Sequence, residues 1–159
     1  MSTSALPKHV GASAKPCHIL IVDSNPADVT LAREAFREAG LSPQLHIAKN
    51  GEEALAFLRQ EGRFSNAARP DFIMLERTLP MMTGMEVLEA VKGDAKLVSI
   101  PIVVCSAFRS KDEAEDAYIL KANATAQKSG ELDAYFAVVR TLYTKWCKDA
   151  AHSDTQARG

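Results

Sequence analysis

The sequence predicts an open α/β domain: a doubly wound, five-stranded parallel sheet with helices on both faces. Three observations carry this reading. Short continuous apolar runs at residues 19–22, 72–75 and 102–105 read as strands buried on both faces, as in a parallel sheet. Between them lie longer segments whose apolar residues recur at three- and four-residue steps. Strand and helix patterns alternate along the chain, which implies parallel strands joined by right-handed crossovers.

The elements follow in order. Residues 1–16, rich in Ser, Ala, Lys and Pro and without periodicity, are expected to form a flexible tail. The domain is expected to span 17–148 and opens with His18-Ile19-Leu20-Ile21-Val22, a strand that ends at an acid, Asp23. Asn25 is placed to cap the first helix, with Pro26 at its first position and Asp28 at its third. Val29, Ala32, Phe36 and Ala39 share one face, and Gly40 stops the helix. Residues 45–48 read as a short second strand. Asn50 and Glu53 have capping-box spacing, ahead of a helix that turns Ala54, Leu55 and Leu58 inward.

The third strand delivers Glu76 to its end, and the loop after it closes on Pro80. Thr83 and Glu86 form a second capping box, before Val87, Leu88 and Val91. A fourth strand ends in the hydroxyl of Ser106. A short helix is expected from Ser110, with Tyr118 on its apolar side, then a weaker strand over 124–127 that leads to Lys128. The last helix has the strongest pattern, in Leu132, Tyr135, Phe136, Val139, Leu142, Tyr143 and Trp146. Residues 149–159 are polar and small and are expected to fray.

Composition narrows the class. The chain has 159 residues, 47% hydrophobic and 25% charged, enough for one domain with a full core. A formal net charge of −1 gives no pull toward nucleic acid or an anionic membrane. No apolar run approaches the roughly 20 residues of a membrane span, and no signal-peptide pattern opens the chain. The three cysteines, Cys17, Cys105 and Cys147, are an odd number without metal-ligand spacing, so a reduced cytoplasmic protein is expected. Cys105 reads as an inert buried residue, and Cys17 and Cys147 as end-of-element thiols with nothing to activate them.

In such a sheet the strand C-termini gather along one edge. Asp23, Glu76, Ser106 and Lys128 therefore converge there. Two carboxylates, a hydroxyl and an ammonium suit a phosphoryl group carried on a carboxylate: one acid as nucleophile, oxygen ligands for Mg²⁺, and Ser106 and Lys128 for phosphoryl oxygens.

The strand-Asp23 ending, Asn25-Pro26-Ala27-Asp28, Leu79-Pro80-Met81-Met82-Thr83-Gly84, Pro101-Ile102-Val103-Val104-Cys105-Ser106-Ala107 and the late Lys128 resemble a two-component response-regulator receiver domain. The resemblance runs from His18 to Trp146. The Asn25–Asp28 spacing, the helix start at Gly51 and the aromatic last helix resemble the single-domain regulators that accompany bacterial phytochromes. It implies a flavodoxin-like (βα)5 fold, a cytoplasmic signalling role, no catalytic residues and protein partners such as a histidine kinase or phytochrome. It also implies a homodimer through the last helices. Tyr118, Ile119, Tyr143 and Trp146, as apolar residues beyond what a core needs, are candidate interface residues, with a plain core role as the alternative. No nucleic-acid or membrane partner is expected.

The chain departs from the family pattern where phosphorylation occurs. Glu76 stands at the phospho-acceptor position, and Ser24 replaces the second acid after the first strand. Thr125 replaces the aromatic switch residue, Ser129 follows the lysine, and Thr83 replaces the acid before Gly84. Glu76 is one methylene longer than aspartate, about 1.5 Å, and in-line attack is sensitive to displacements of about 1 Å. With one metal acid lost, Mg²⁺ binding is expected to be weak or absent, with no other cofactor. Three readings of Glu76 follow: a lock that pairs with Lys128 and fixes one conformation, a phosphate acceptor of a conventional regulator, or a vestigial group with no role. A small enzyme on the same scaffold is a further hypothesis for the chain, but no Gly-rich phosphate loop or Ser-His-acid set supports it.

Overall fold

Five parallel strands stand in the order β2-β1-β3-β4-β5, and the residues that build them explain why both faces are covered. The computed structural model describes residues 16–106, 122–127 and 132–148. The elements are β1 (His18–Val22), α1 (Pro26–Glu38), β2 (Gln44–Ala48), α2 (Gly51–Arg59), β3 (Phe72–Glu76), α3 (Gly84–Lys92), β4 (Ile102–Ser106), β5 (Ala124–Gln127) and α4 (Leu132–Tyr143). The helix expected from Ser110, with Tyr118 and Ile119, lies outside the described residues. So do Lys128, Ser129, residues 1–15 and residues 149–159.

Strand side chains alternate between two apolar layers, as a period of two requires. Leu20, Val22, Ile73, Leu75, Ile102 and Val104 pack with Ala54, Leu55 and Leu58 of α2 and Val87, Leu88 and Val91 of α3. Ile19, Ile21, Phe72, Met74, Val103 and Cys105 face the opposite layer, with Ala32, Ala35 and Phe36 of α1 and Tyr135, Val139 and Leu142 of α4. The predicted doubly wound fold is therefore present.

Local chemistry sets the helix starts. Asn25 Oδ1 accepts the Ala27 amide at 2.9 Å, and Pro26 occupies the first helical position. Thr83 and Glu86 form the complete reciprocal box predicted for them. At α2 only half of the expected box forms. Asn50 Oδ1 accepts the Glu53 amide at 2.8 Å, while the Glu53 carboxylate accepts the amide of Lys49, one residue earlier, at 2.9 Å. Gly40 ends the α1 turn with φ +73°, a conformation glycine adopts without steric cost.

The cysteine expectation is overturned. Cys17 and Cys147, 130 residues apart, are joined in a disulfide with Cα atoms 5.5 Å apart, and both are buried. The reason is topological. The chain after α4 continues as a π-helical turn, Thr144–Lys148, and this sets Cys147 beside the start of β1. Cys105 is buried, as expected, and takes no part in the disulfide.

Candidate functional site

The site is built from two strand ends and a helix start. Val22 is the last residue of β1, and the next amide, that of Asp23, donates to Ala48 O at 2.9 Å. Asp23 is 6% exposed, and its Oδ1 accepts the Asn25 amide at 2.9 Å. That turn sends α1 back across the end of β1, so Asp28 of the first helical turn leans over Asp23. Glu76 ends β3 at 9% exposure, and its Oε2 accepts the Thr78 amide at 3.1 Å.

Asp23, Asp28 and Glu76 each offer a carboxylate oxygen, and these lie within 4.8 Å of one another. Three carboxylates at such distances repel strongly in a partly desolvated setting. The cluster is therefore a place for positive charge, either a hard divalent cation or an ammonium. Oxygen donors of this kind fit Mg²⁺ or Mn²⁺.

Gly84 keeps this edge tight. Its amide donates to Arg77 O at 2.9 Å, and a Cβ there would overlap the Glu76 carbonyl and lie 2.8 Å from Arg77 Cα. Only glycine lets α3 begin so close to the end of β3.

Beneath the carboxylates lies a cavity of about 10 Å³, lined by Asp23, Asp28, Glu76, Cys105 and Tyr135 among others. That is close to the room one water needs. Tyr135 reaches it from α4. Burial, and then the nearby Cys105, Asp23, Asp28 and Glu76, push its phenol ionisation well above the usual value.

The sequence-predicted site residues divide as follows. Asp23 and Glu76 come together. Ser24 is exposed and lines an open cleft beside them with Pro26, Val29, Thr30, Ile47 and Lys49. Thr125 is exposed on β5, paired with Val104. Lys128 and the Ser106 side chain lie outside the described residues. Tyr143 and Trp146 are half-buried: the Tyr143 ring faces Phe36 at 6.1 Å and Trp146 packs on Phe72 at 5.1 Å.

Two residues were missed. Asp28 was read as a helix-start acid, although its place three residues after the cap was the signal that it could fold back over Asp23. Tyr135 was read as core; its hydroxyl in an apolar stripe was the clue.

Residues 19–140 match the family model described as the response regulator receiver domain. The chain belongs to the response-regulator receiver family. Among its relatives is the response regulator Rcp1 of Synechocystis sp., 34% identical over 134 residues, which span 84% of this chain and 91% of Rcp1. Similar solved structures include the phosphorylated cyanobacterial phytochrome response regulator RcpA, at 35% identity and a TM-score of 0.74. The match covers 83% of this chain and 94% of that one. A second is the Mn²⁺-bound form of Rcp1, at 33% identity and a TM-score of 0.72, covering 83% and 95%. The receiver fold and the two-component signalling class follow.

Proposed function

We propose that this receiver, spanning 17–148, works in the cytoplasm as an atypical, stand-alone response regulator. It acts by protein–protein contact and is not phosphorylated on Glu76. The observation that carries this is Glu76 itself. Its carboxylate is one methylene longer than the aspartate the family uses, is 9% exposed, and is tied back to its own loop by the Thr78 amide. A nucleophile for in-line attack needs a free, placed oxygen. The phytochrome named with the similar regulator RcpA supports a phytochrome as partner; a histidine kinase partner and a homodimer through the last helices are part of the same proposal.

The carboxylate cluster supports a role for a cation in the same site. Asp23, Asp28 and Glu76 would hold a divalent ion, which would supply charge neutralisation there. On this reading Asp28 would make good the charge forgone at Ser24, so that a cation could bind where the sequence alone implied weak or absent binding. This triad also favours a second reading, a phosphoryl-accepting regulator, because in that chemistry the cation neutralises the incoming phosphoryl group.

Acetyl phosphate or beryllofluoride with Mg²⁺ separates the two. Mass and amide spectra unchanged beyond the effect of Mg²⁺ alone are expected. A stoichiometric phosphoryl adduct that disappears in Glu76→Gln would establish the second reading instead.

A further inference from the structure

We propose that Cys17 and Cys147 form a reversible redox clip, closed by a disulfide oxidant such as glutathione disulfide, that fastens the end of the last helix to the base of the sheet. The sulfurs are already joined, and the Cα separation of 5.5 Å lies in the usual range for such a bond. Cys17 is held at the start of β1, where its carbonyl accepts the Gln44 amide at 2.7 Å. Cys147 sits in the π-helical turn Thr144–Lys148 that follows α4. The clip is thus at the opposite end of β1 from Asp23, and it stands whether or not Glu76 is phosphorylated.

Two features make the pair a switch rather than a fixed brace. Disulfides in a reducing compartment are commonly transient and redox-sensing. Both cysteines are buried, at 9% and 6% exposure, but they lie at the two ends of the domain, where opening of a single turn costs least. Fraying of residues 144–148 brings the sulfurs within reach of a small thiol or disulfide without unfolding the sheet.

The exchange balances. A Cys thiolate attacks one sulfur of glutathione disulfide, breaking its S–S bond and releasing one glutathione thiolate. The second cysteine, as thiolate, attacks the protein sulfur of the mixed disulfide and displaces the second glutathione. The protein gives up two electrons and two protons, and the oxidant becomes two thiols.

The consequence is local. Trp146, next to Cys147, packs on Phe72 with ring centroids 5.1 Å apart. With the clip open, this turn is held by its own backbone hydrogen bonds and by packing, and the Trp146 contact loosens with it. Trp146 is the single tryptophan of the chain, so tryptophan emission reports on this position alone.

The test equilibrates the full chain in glutathione buffers of graded redox ratio, quenches in acid, and counts alkylated thiols by mass in denaturant. One alkylation, at Cys105, is expected under oxidising conditions and three under reducing ones, with Trp146 emission following the same transition. Cys105→Ser should keep the transition, and Cys17→Ser should abolish it with emission fixed near the reduced value. Three alkylations at every ratio, glutathione adducts in place of the pair, or emission that ignores the thiol count would each overturn the proposal.

Discussion

Tyr135 of α4 and Asp23 at the end of β1 line one water-sized cavity. The last helix therefore props the acidic edge from beneath with a phenol rather than an apolar ring. The phenol must stay protonated there, because a fourth negative charge beside Asp23, Asp28 and Glu76 would have no favourable environment.

That sets the alkaline limit of stability. Tyr135 ionises well above the usual value of 10.0 when folded, but near 10 in the unfolded chain. Its contribution is complete below about pH 10, and is lost as pH rises further because the unfolded state then binds fewer protons. Tyr135→Phe should make the loss of stability above pH 10 shallower by about 1.4 kcal/mol per pH unit, one proton's worth. Urea unfolding at graded alkaline pH measures the slope; an unchanged slope would mean that Tyr135 already ionises in the folded protein.

Gly84→Ala tests the closeness of α3 to the end of β3. The added methyl meets the Glu76 carbonyl and the Arg77 backbone, neither of which is a flexible side-chain end. A loss on the order of 2–3 kcal/mol is expected, read as a lower denaturant midpoint with the m-value retained. A loss under about 0.5 kcal/mol, the range of an unconstrained surface change, would contradict this packing.

The fold was legible because its signals are local. Continuous apolar runs along 19–22, 72–75 and 102–105 marked strands buried on both faces, and Thr83 with Glu86 marked the start of α3. Asp23 and Glu76 were legible for the same reason: a parallel strand hands its last residue to one edge. Asp28 was not, because its reach depends on the turn that Asp23 and Asn25 make through 2.9 Å of backbone-to-carboxylate hydrogen bond. The Cys17–Cys147 contact spans 130 residues, and no local pattern encodes a contact of that range.

Asp28→Asn tests whether the third carboxylate belongs to the site. Mn²⁺ binding, followed by paramagnetic broadening of Asp23 and Glu76 signals, should weaken roughly 10–100-fold when one of three hard oxygen charges is removed. Ser24→Ala should leave it unchanged, since Ser24 is exposed and outside the triad. Equal weakening by both substitutions would place the cation elsewhere.

A histidine pair fixes the acid side. His18 Nδ1 and His46 Nε2 are 3.0 Å apart, and the His46 ring also lies 5.1 Å from Phe57. Burial, and then the neighbouring His18, hold His46 below its usual value of 6.5. The unfolded chain takes up this proton first as pH falls, so stability supplied by neutral His46 is present above about pH 6.5 and is lost below it. His46→Gln should flatten the fall in Tm between pH 6.5 and 5; a wild-type Tm that is level across that window would refute the assignment.

The last prediction asks whether two side chains decide if the chain accepts a phosphoryl group. Ser24→Asp restores the second acid after β1, and Glu76→Asp withdraws the carboxylate by one methylene, about 1.5 Å. It also frees the carboxylate from the Thr78 amide that holds Glu76 Oε2 at 3.1 Å. The described part of the scaffold offers three supports: Asp23 is anchored, Gly84 closes the loop, and Asp28 adds charge for a cation. The double variant with acetyl phosphate and Mg²⁺ should gain the mass of one phosphoryl group, labile to base, while the parent chain stays unmodified. Each single variant tests a separate cause. Glu76→Asp alone should label slowly, since a placed nucleophile still works beside Asp23 and Asp28, and Ser24→Asp alone should not label, since a nucleophile misplaced by about 1 Å reacts poorly however well the cation binds. Labelling of Ser24→Asp with Glu76 intact would show that the glutamate is a competent acceptor and that cation affinity was the only thing missing.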